Sequence, residues 1–302
     1  MLLLTVAYNS NMESIIDEIK DVKRCFEYKK VSLGIAESIV EDTHFIKIFC
    51  GDDNLSDSSI RTFNLHIANI LYKMVIMDFF QKDLKNFLTE TYFFLRNDEI
   101  KSIKPMIKEA LISEGVISGP SMVYYINRKN SIIDKITKCI EENNEINING
   151  FLTFRTKELE EDLECIVDKV VEEYMVEKEY NEFIKLLKYF VEVQESKVEE
   201  VNILIEKSGN YQLRDEEGND LLENMIMELP RVKFDSKENQ EELIISAMIT
   251  SAPKKIIIHC VDNCRNKELI QTISNVFVNR VYYCDKCSEC KKIKKVDKQR
   301  LR

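Results

Sequence analysis

Residues 158–197 read ELEEDLECIVDKVVEEYMVEKEYNEFIKLLKYFVEVQESK, a stretch that contains neither glycine nor proline. Its apolar residues recur at the three- and four-residue spacing of an amphipathic helix, and Thr156 precedes it as a candidate N-cap. At 1.5 Å per residue such a helix is about 60 Å long. The apolar stripe changes phase near Glu177, so we expect the helix to pass from one packing partner to another. The stretch predicts one very long helix.

The composition of the whole chain agrees with a helical globular protein. Its 302 residues include only seven glycines and four prolines. Charged residues make up 32% and hydrophobic residues 44%, a balance that is typical of folded and not of disordered chains. Because tight turns and phosphate-binding loops need glycine, the scarcity of glycine argues against a turn-rich β-sandwich and against a glycine-cradled nucleotide enzyme.

The apolar stretches and the cysteines indicate in which cellular compartment the protein works. The longest apolar stretch, residues 65–80, is interrupted by Asn69, Lys73 and Asp78, so it is shorter than the ~20 apolar residues of a membrane span. The first residues lack the basic region of a signal peptide. Nine cysteines are an odd number. We therefore predict a soluble cytoplasmic protein whose cysteines are reduced thiols or metal ligands.

The first half of the chain is predicted to begin with strands and to continue with helices. We expect the first strand at residues 2–7, a helix at 14–28, a pair of strands at 31–40 and 44–50, about ninety mostly helical residues from Ser56, a turn at Ser118–Ser121, and a helix at 122–142. The asparagine-rich residues 141–149 then end the helical block. We place a domain boundary near residue 145.

The second half is predicted to mix short strands with helices. We expect a strand at residues 146–154, the long helix, strands at 201–205 and 211–214, a capping box at Asp220–Glu223, a helix at 236–251, and a β-α-β unit formed by residues 255–260, 267–279 and 280–284. A right-handed crossover makes the two strands of that unit parallel. The fold class is thus α+β and predominantly helical, with domains at residues 1–145 and 146–290 and a disordered basic tail at 291–302.

No common catalytic motif is present. The sequence contains no GxGxxG, no GxxxxGK[ST], no HExxH and no GxSxG. The three histidines are His44, His66 and His259, and His66 lies in an apolar helical stretch where a packed core histidine is the simpler interpretation. We therefore predict that the protein is not an enzyme, and no motif calls for a cofactor other than a metal ion.

The carboxyl-terminal cysteines are the strongest candidate for chemistry. Five of the nine cysteines lie within 31 residues, with the spacings C-x3-C and C-x2-C-x2-C: Cys260, Cys264, Cys284, Cys287 and Cys290. In the predicted β-α-β unit Cys260 and Cys284 end parallel strands at one edge of the sheet. We expect Cys260, Cys264, Cys284 and Cys287 to be ligands of zinc. Strand alternation points His259 away from the face of Cys260, which makes it a less suitable ligand, and the alternative is that these cysteines are a buried residue and free thiols.

The last twelve residues form a second candidate site. Residues 291–302 hold seven basic residues and one acidic residue, a charge of +6, which leaves −16 for the other 290 residues of a chain with net charge −10. A basic tail can bind nucleic acid. Because the acidic body repels phosphate and charged ends are commonly solvated, we expect no nucleic-acid binding. Neither the oligomeric state nor a protein partner can be derived from the sequence.

Residues 146–194 resemble the YtxC-like family. The likeness rests on GFLTFR at 150–155, EYMVEKEYNEFIKLLKYFV at 173–191 and Gln194. The resemblance implies a sporulation-linked role in endospore-forming Firmicutes, with no known biochemical activity. We expect such a protein to act through protein–protein contact, and the alternative is a regulatory zinc-binding or zinc-sensing protein.

The residues that carry this resemblance also have structural interpretations. They are Gly150, Phe151, Phe154, Arg155, Tyr174, Glu177, Tyr180 and Phe183. We expect Phe151 and Phe154 to fasten the strand end to the start of the long helix, and Arg155 to pair with an acidic residue such as Glu158. Glu177 either faces solvent or is held by a cation such as Arg155.

Overall fold

The computed structural model describes residues 1–9, 14–51, 56–112, 121–222 and 238–293, and the strands within them form two separate four-stranded sheets. The strands are β1 (Leu2–Asn9), β2 (Leu33–Val40), β3 (Thr43–Cys50), β4 (Glu145–Asn147), β5 (Glu200–Ile205), β6 (Tyr211–Asp215), β7 (Lys255–His259) and β8 (Val281–Cys284). The helices of seven or more residues in these ranges are α1 (Ser14–Tyr28), α2 (Asp57–Lys82), α3 (Leu84–Thr91), α4 (Asn97–Ile112), α5 (Met122–Glu142), α6 (Ile148–Phe154), α7 (Thr156–Val193), α8 (Glu238–Ser251) and α9 (Lys267–Val276). The predicted α+β, predominantly helical fold class is confirmed.

The chain divides into two compact units, Met1–Met175 and Val176–Arg302. The first unit contains a sheet of order β2-β3-β1-β4, in which β3 pairs antiparallel with β1 and β2, and β4 pairs parallel with β1. The predicted β-α start and the strand pair that follows it are confirmed. Helices α1 to α6 and the first part of α7 contribute large buried side chains to one core with this sheet, among them Phe26, Phe63, Phe79, Leu88, Ile103, Ile132, Phe151 and Leu163.

The predicted strand over residues 146–154 is wrong for all but its beginning. Strand β4 ends at Asn147, and helix α6 follows at once. The Asn147 side-chain oxygen accepts a hydrogen bond from the Gly150 backbone N–H at 3.0 Å, which caps the new helix. This local cap and the burial of Phe151 outweigh the strand preference of the β-branched and aromatic residues in the segment. Phe154 is exposed, so it does not fasten the segment to α7.

Helix α7 belongs to both units, as the phase change near Glu177 predicts. Its first part buries Leu159, Leu163 and Val167 in the first core. Its last part buries Ile184 and Leu187 in the second core. The division between the units therefore falls after Met175, inside the helix, and not near residue 145, because residues 146–171 pack with the first core.

The second unit contains a sheet of order β6-β5-β7-β8, in which β5, β7 and β8 are parallel and β6 is antiparallel to β5. The predicted β-α-β unit is confirmed: β7, α9 and β8 follow one another, and the strands pair with His259 opposite Cys284. The Asn266 side chain caps α9 by accepting from the Glu268 N–H at 3.0 Å. Both strands thus deliver their last residues to the same edge of the sheet.

Some predicted features fall outside the described residues. These are most of the turn at Ser118–Ser121, the Glu223 end of the capping box, and the tail beyond residue 293. None of the helices in the described ranges combines the length and the apolar character that a bilayer crossing requires.

Candidate metal centre

Four metal-ligating atoms converge at the carboxyl ends of β7 and β8. They belong to His259, Cys284, Cys287 and Cys290, and all lie within 4.8 Å of one another. The His259 Nδ1 atom is 3.3 Å from the Cys287 Sγ and 3.5 Å from the Cys290 Sγ. The Cys290 Sγ is 3.5 Å from the Cys287 Sγ and 4.0 Å from the Cys284 Sγ. One imidazole and three thiols therefore surround a single point.

The backbone that follows each strand brings these side chains together. His259 and Cys284 are register partners at the ends of β7 and β8, so their side chains leave the same face of the sheet. Residues 285–287 turn back, and a short helix at 288–293 presents Cys290, which is fully buried. The Cys290 N–H lies 3.4 Å from the Cys287 sulfur. The C-x2-C-x2-C spacing thus allows Cys287, at the end of the turn, and Cys290, in the short helix, to face the end of β7.

A hydrogen bond on its far side fixes the orientation of the His259 ring. Its Nε2 lies 2.9 Å from the Asn202 Oδ1 atom, on strand β5. The Asn202 amide nitrogen donates to Glu200 at 3.2 Å, and Lys255 pairs with Glu200 at 2.7 Å. Because that amide nitrogen faces a carboxylate, the amide oxygen faces the ring, and Nε2 must be the donor. The lone pair of Nδ1 is then directed at the three sulfurs, as in metal sites whose histidine is held by an outer hydrogen bond.

The protonation of the four groups is compatible with metal binding. Burial lowers the pKa of the His259 imidazole, which favours the neutral ring that binds a metal. Hydrogen bonds from the backbone N–H groups of Lys286 and Cys287 lower the pKa of the Cys284 thiol. Burial raises the pKa of the Cys290 thiol. A bound dication would deprotonate such a thiol and supply the charge that its thiolate needs.

The spacing of the ligand atoms suits one tetrahedral ion. Metal–sulfur bonds of about 2.3 Å in a tetrahedral zinc site place the sulfurs about 3.8 Å apart. The distances from Cys290 to Cys287 and to Cys284 are 3.5 and 4.0 Å. An iron–sulfur cluster would hold its thiolates further apart, because several irons and sulfides lie between them. The four residues fit a single ion.

The four converging residues differ from the expected set of Cys260, Cys264, Cys284 and Cys287 in two places. Cys260 has a left-handed backbone, with φ of 57°, and its thiol lies near Cys290 without joining the four. The Cys264 thiol instead donates to the Asn266 carbonyl oxygen at 3.0 Å. Their places are taken by Cys290 and His259.

One of these two residues has a signal in the sequence, and the other is explained by the structure. The third cysteine of the C-x2-C-x2-C run is Cys290. Strand alternation does not apply to Cys260, because β7 ends at His259 and Cys260 has a left-handed backbone. His259 joins the cluster because it pairs with Cys284 across the sheet.

The residues that resemble the YtxC-like family lie along α6 and α7 and are not among the four converging residues. Arg155 makes two hydrogen bonds to Glu158, at 2.8 and 2.9 Å, which confirms the expected pair. Glu177 is exposed, and Phe183 is half-exposed. Tyr174 packs at the border of the first core, and the Tyr180 hydroxyl lies 3.2 Å from the Thr272 hydroxyl. Gly150 lies in the first turn of α6.

The other two histidines are in the first unit and belong to separate contacts. His44 pairs with Glu37 at 2.9 Å and stacks on Tyr8. His66 is partly buried against the edge of Phe26, and burial lowers its pKa. His66 therefore packs in the helical region as the sequence indicates.

Comparison with known proteins matches most of the chain to one family. The YtxC-like family pattern matches residues 65–282, a range that contains His259 and ends just before Cys284. A protein of Bacillus subtilis (strain 168), described as "Uncharacterized protein YtxC", is 25% identical over 265 residues, which cover 81% of this chain and 92% of the relative. No solved structure matches the chain. With more than two thirds of its residues inside the family pattern, this chain belongs to the YtxC-like family.

Proposed function

We propose that the second unit binds one zinc ion through His259, Cys284, Cys287 and Cys290. The observation that carries the proposal is the convergence of these four ligand atoms within 4.8 Å. Thiolate and imidazole ligands in tetrahedral geometry are the donor set of structural zinc sites. Because four protein ligands fill the coordination sphere, no position is left for a water molecule or a substrate. The zinc ion would hold residues 284–290 to the end of β7 and would not activate water.

The metal content of the purified full chain tests this proposal. Protein purified without chelator should contain about one zinc per chain by inductively coupled plasma mass spectrometry. Cys264→Ser is the matched control, since Cys264 lies in the same unit but outside the four, and it should keep its zinc. The double variant Cys284→Ser/Cys287→Ser should lose it. Equal zinc in the double variant and the control, or none in the wild type after zinc is added, would refute the site.

A second measurement guards against a double variant that simply fails to fold. Cobalt(II) added to the wild-type apoprotein should give the intense ligand-field bands of a tetrahedral site and a thiolate-to-cobalt charge-transfer band. Cys260→Ser should leave these bands unchanged, whereas His259→Ala should shift them. An octahedral cobalt spectrum in the wild type would count against three thiolate ligands.

We also propose that the protein works in the cytoplasm and serves sporulation through protein–protein contact. The chain belongs to the YtxC-like family, and the resemblance to that family implies a sporulation-linked role in endospore-forming bacteria. All nine cysteines are free, which suits a reducing compartment and a site built of thiolates. Deletion of the coding sequence in a spore-forming host should lower the yield of heat-resistant spores, and affinity capture from sporulating cells should recover a specific partner. Normal spores together with no specific partner would contradict the proposal.

A further inference from the structure

The part of α7 that lies in the second unit carries an exposed apolar seam. The seam consists of Val176, Phe183, Leu186, Phe190 and Val193, whose side chains are 41–62% exposed. They are spaced by seven, three, four and three residues, which is the a/d spacing of a coiled coil, and Glu179 occupies the one remaining seam position. A surface helix needs only one apolar stripe, facing its own core.

Helix α7 also has an apolar stripe that faces its own core, and this stripe is separate from the seam. Ile184, Leu187 and Val191 are at least 93% buried and contribute to the second core. The seam lies beside them on the helix, so packing within the second unit already satisfies α7 without the seam. A row of five large exposed apolar side chains on one helix marks an interaction surface more often than a solvated one.

We propose that the seam pairs antiparallel with the same seam of a second copy of this chain. With Glu179 included, the six a and d positions from 176 to 193 are Val, Glu, Phe, Leu, Phe and Val, an order that is nearly the same in both directions. A two-fold axis between Ile184 and Lys185 sets Val176 against Val193 of the other copy and Phe183 against the other copy's Leu186. An isologous interface requires such self-complementarity.

The size of the seam is sufficient for a dimer. A large apolar or aromatic side chain that is half-exposed offers roughly 100 Å². The five seam residues, with Tyr180 and Tyr189 at their flanks, therefore offer roughly 700 Å² per copy and about 1,400 Å² for two copies. This area lies in the lower part of the range of specific interfaces, about 1,200–2,000 Å², so the dimer should dissociate on dilution.

Analytical ultracentrifugation of the full chain tests the pairing. The wild type should sediment as a dimer at micromolar concentration and as a monomer after dilution. Phe183→Glu places a charge in the centre of the seam and should abolish the dimer. Asn181→Glu adds the same charge on another, exposed face of α7 and should leave the dimer intact. The circular dichroism spectra of both variants should match the wild type, which separates loss of pairing from loss of folding.

A photo-cross-linking residue at position 176 tests whether the two α7 helices pair antiparallel. In a mixture of ¹⁴N- and ¹⁵N-labelled chains, the antiparallel pair should give mixed-isotope cross-links from position 176 to the neighbourhood of residue 193. A wild type that is monomeric at every concentration, a Phe183→Glu variant that still forms the dimer, links from 176 to 176, or links confined to one chain would each overturn the proposal. The pairing does not depend on zinc, so failure of either proposal leaves the other to its own test.

Discussion

Removal of zinc from the full chain should strongly reduce the hydrogen-exchange protection of β5, β7 and β8 and leave that of α2 and α5 unchanged. The ion would join the end of β7 to the turn and short helix that follow β8, so these parallel strands lose a common anchor without it. The two units have separate cores, so the loss should stay within the second. Hydrogen–deuterium exchange with mass spectrometry resolves the two sets of peptides in one sample.

The size of this effect follows from the linkage between binding and folding. At free zinc about 1,000-fold above the dissociation constant, binding stabilises the folded unit by about 4 kcal/mol. Amides that exchange through unfolding of the unit should therefore exchange about 1,000-fold faster once a chelator has removed the metal. The stabilisation of about 4 kcal/mol is a large fraction of the free energy of unfolding of an ordinary domain.

Two controls make the exchange result specific. Cys264→Ser should show the same dependence on zinc as the wild type, because Cys264 bonds to the Asn266 carbonyl and not to the ligand cluster. Returning zinc to the chelated protein should restore protection. If peptides from both units lost protection together, or if chelation changed neither, the ion would not be the anchor that the geometry suggests.

Replacement of Asn202 by alanine should weaken zinc binding by about 10- to 100-fold, although Asn202 is not a ligand. Its Oδ1 atom accepts from His259 Nε2 at 2.9 Å and so keeps the ligating Nδ1 free of its proton. Without that acceptor the ring can rotate and adopt the other tautomer, and both changes must be reversed before a metal binds. Competition with a chromophoric zinc chelator at pH 7 measures the difference.

The conservative variant separates orientation of the ring from general destabilisation. Asn202→Asp keeps an oxygen acceptor for His259, so its zinc affinity should stay within a few-fold of the wild type, even though the new carboxylate lies near Glu200. Equal losses in the alanine and aspartate variants would show that Asn202 matters only for packing. An alanine variant with unchanged affinity would show that the ring needs no support.

Sequence patterns predicted those parts of the fold that depend on short-range regularity. The β7-α9-β8 unit and the long helix were recognisable because apolar spacing and strand length suffice to identify them. Residues 148–154 are not recognisable as a helix in this way, because their β-branched and aromatic residues favour a strand. The helix depends instead on the single cap that Asn147 provides. A local hydrogen bond of this kind is weakly visible in composition.

The ligand set shows a different kind of limit. Cysteine spacing indicated the sheet edge at which the four ligand atoms converge, and the expected ligands included two of the four residues, Cys284 and Cys287. The choice between His259 and Cys260 depends on the register of β7 against β8, which sets His259 opposite Cys284. Register is a tertiary property, decided by the side chains that both strands bury, and alternation along one strand cannot supply it.

The convergence of His259 with Cys284, Cys287 and Cys290 also has a topological meaning. A metal ion bound there would act as a covalent-like cross-link that closes a loop of about thirty residues containing α9. By the loop-entropy relation used for disulfides, such a closure restricts the unfolded chain by about 3–4 kcal/mol. A disulfide of the same span would be reduced by cellular thiols, whereas thiolate–zinc bonds persist among them. In the cytoplasm, where we propose that the protein works, the second unit would thereby gain the constraint of a disulfide that does not depend on oxidising conditions.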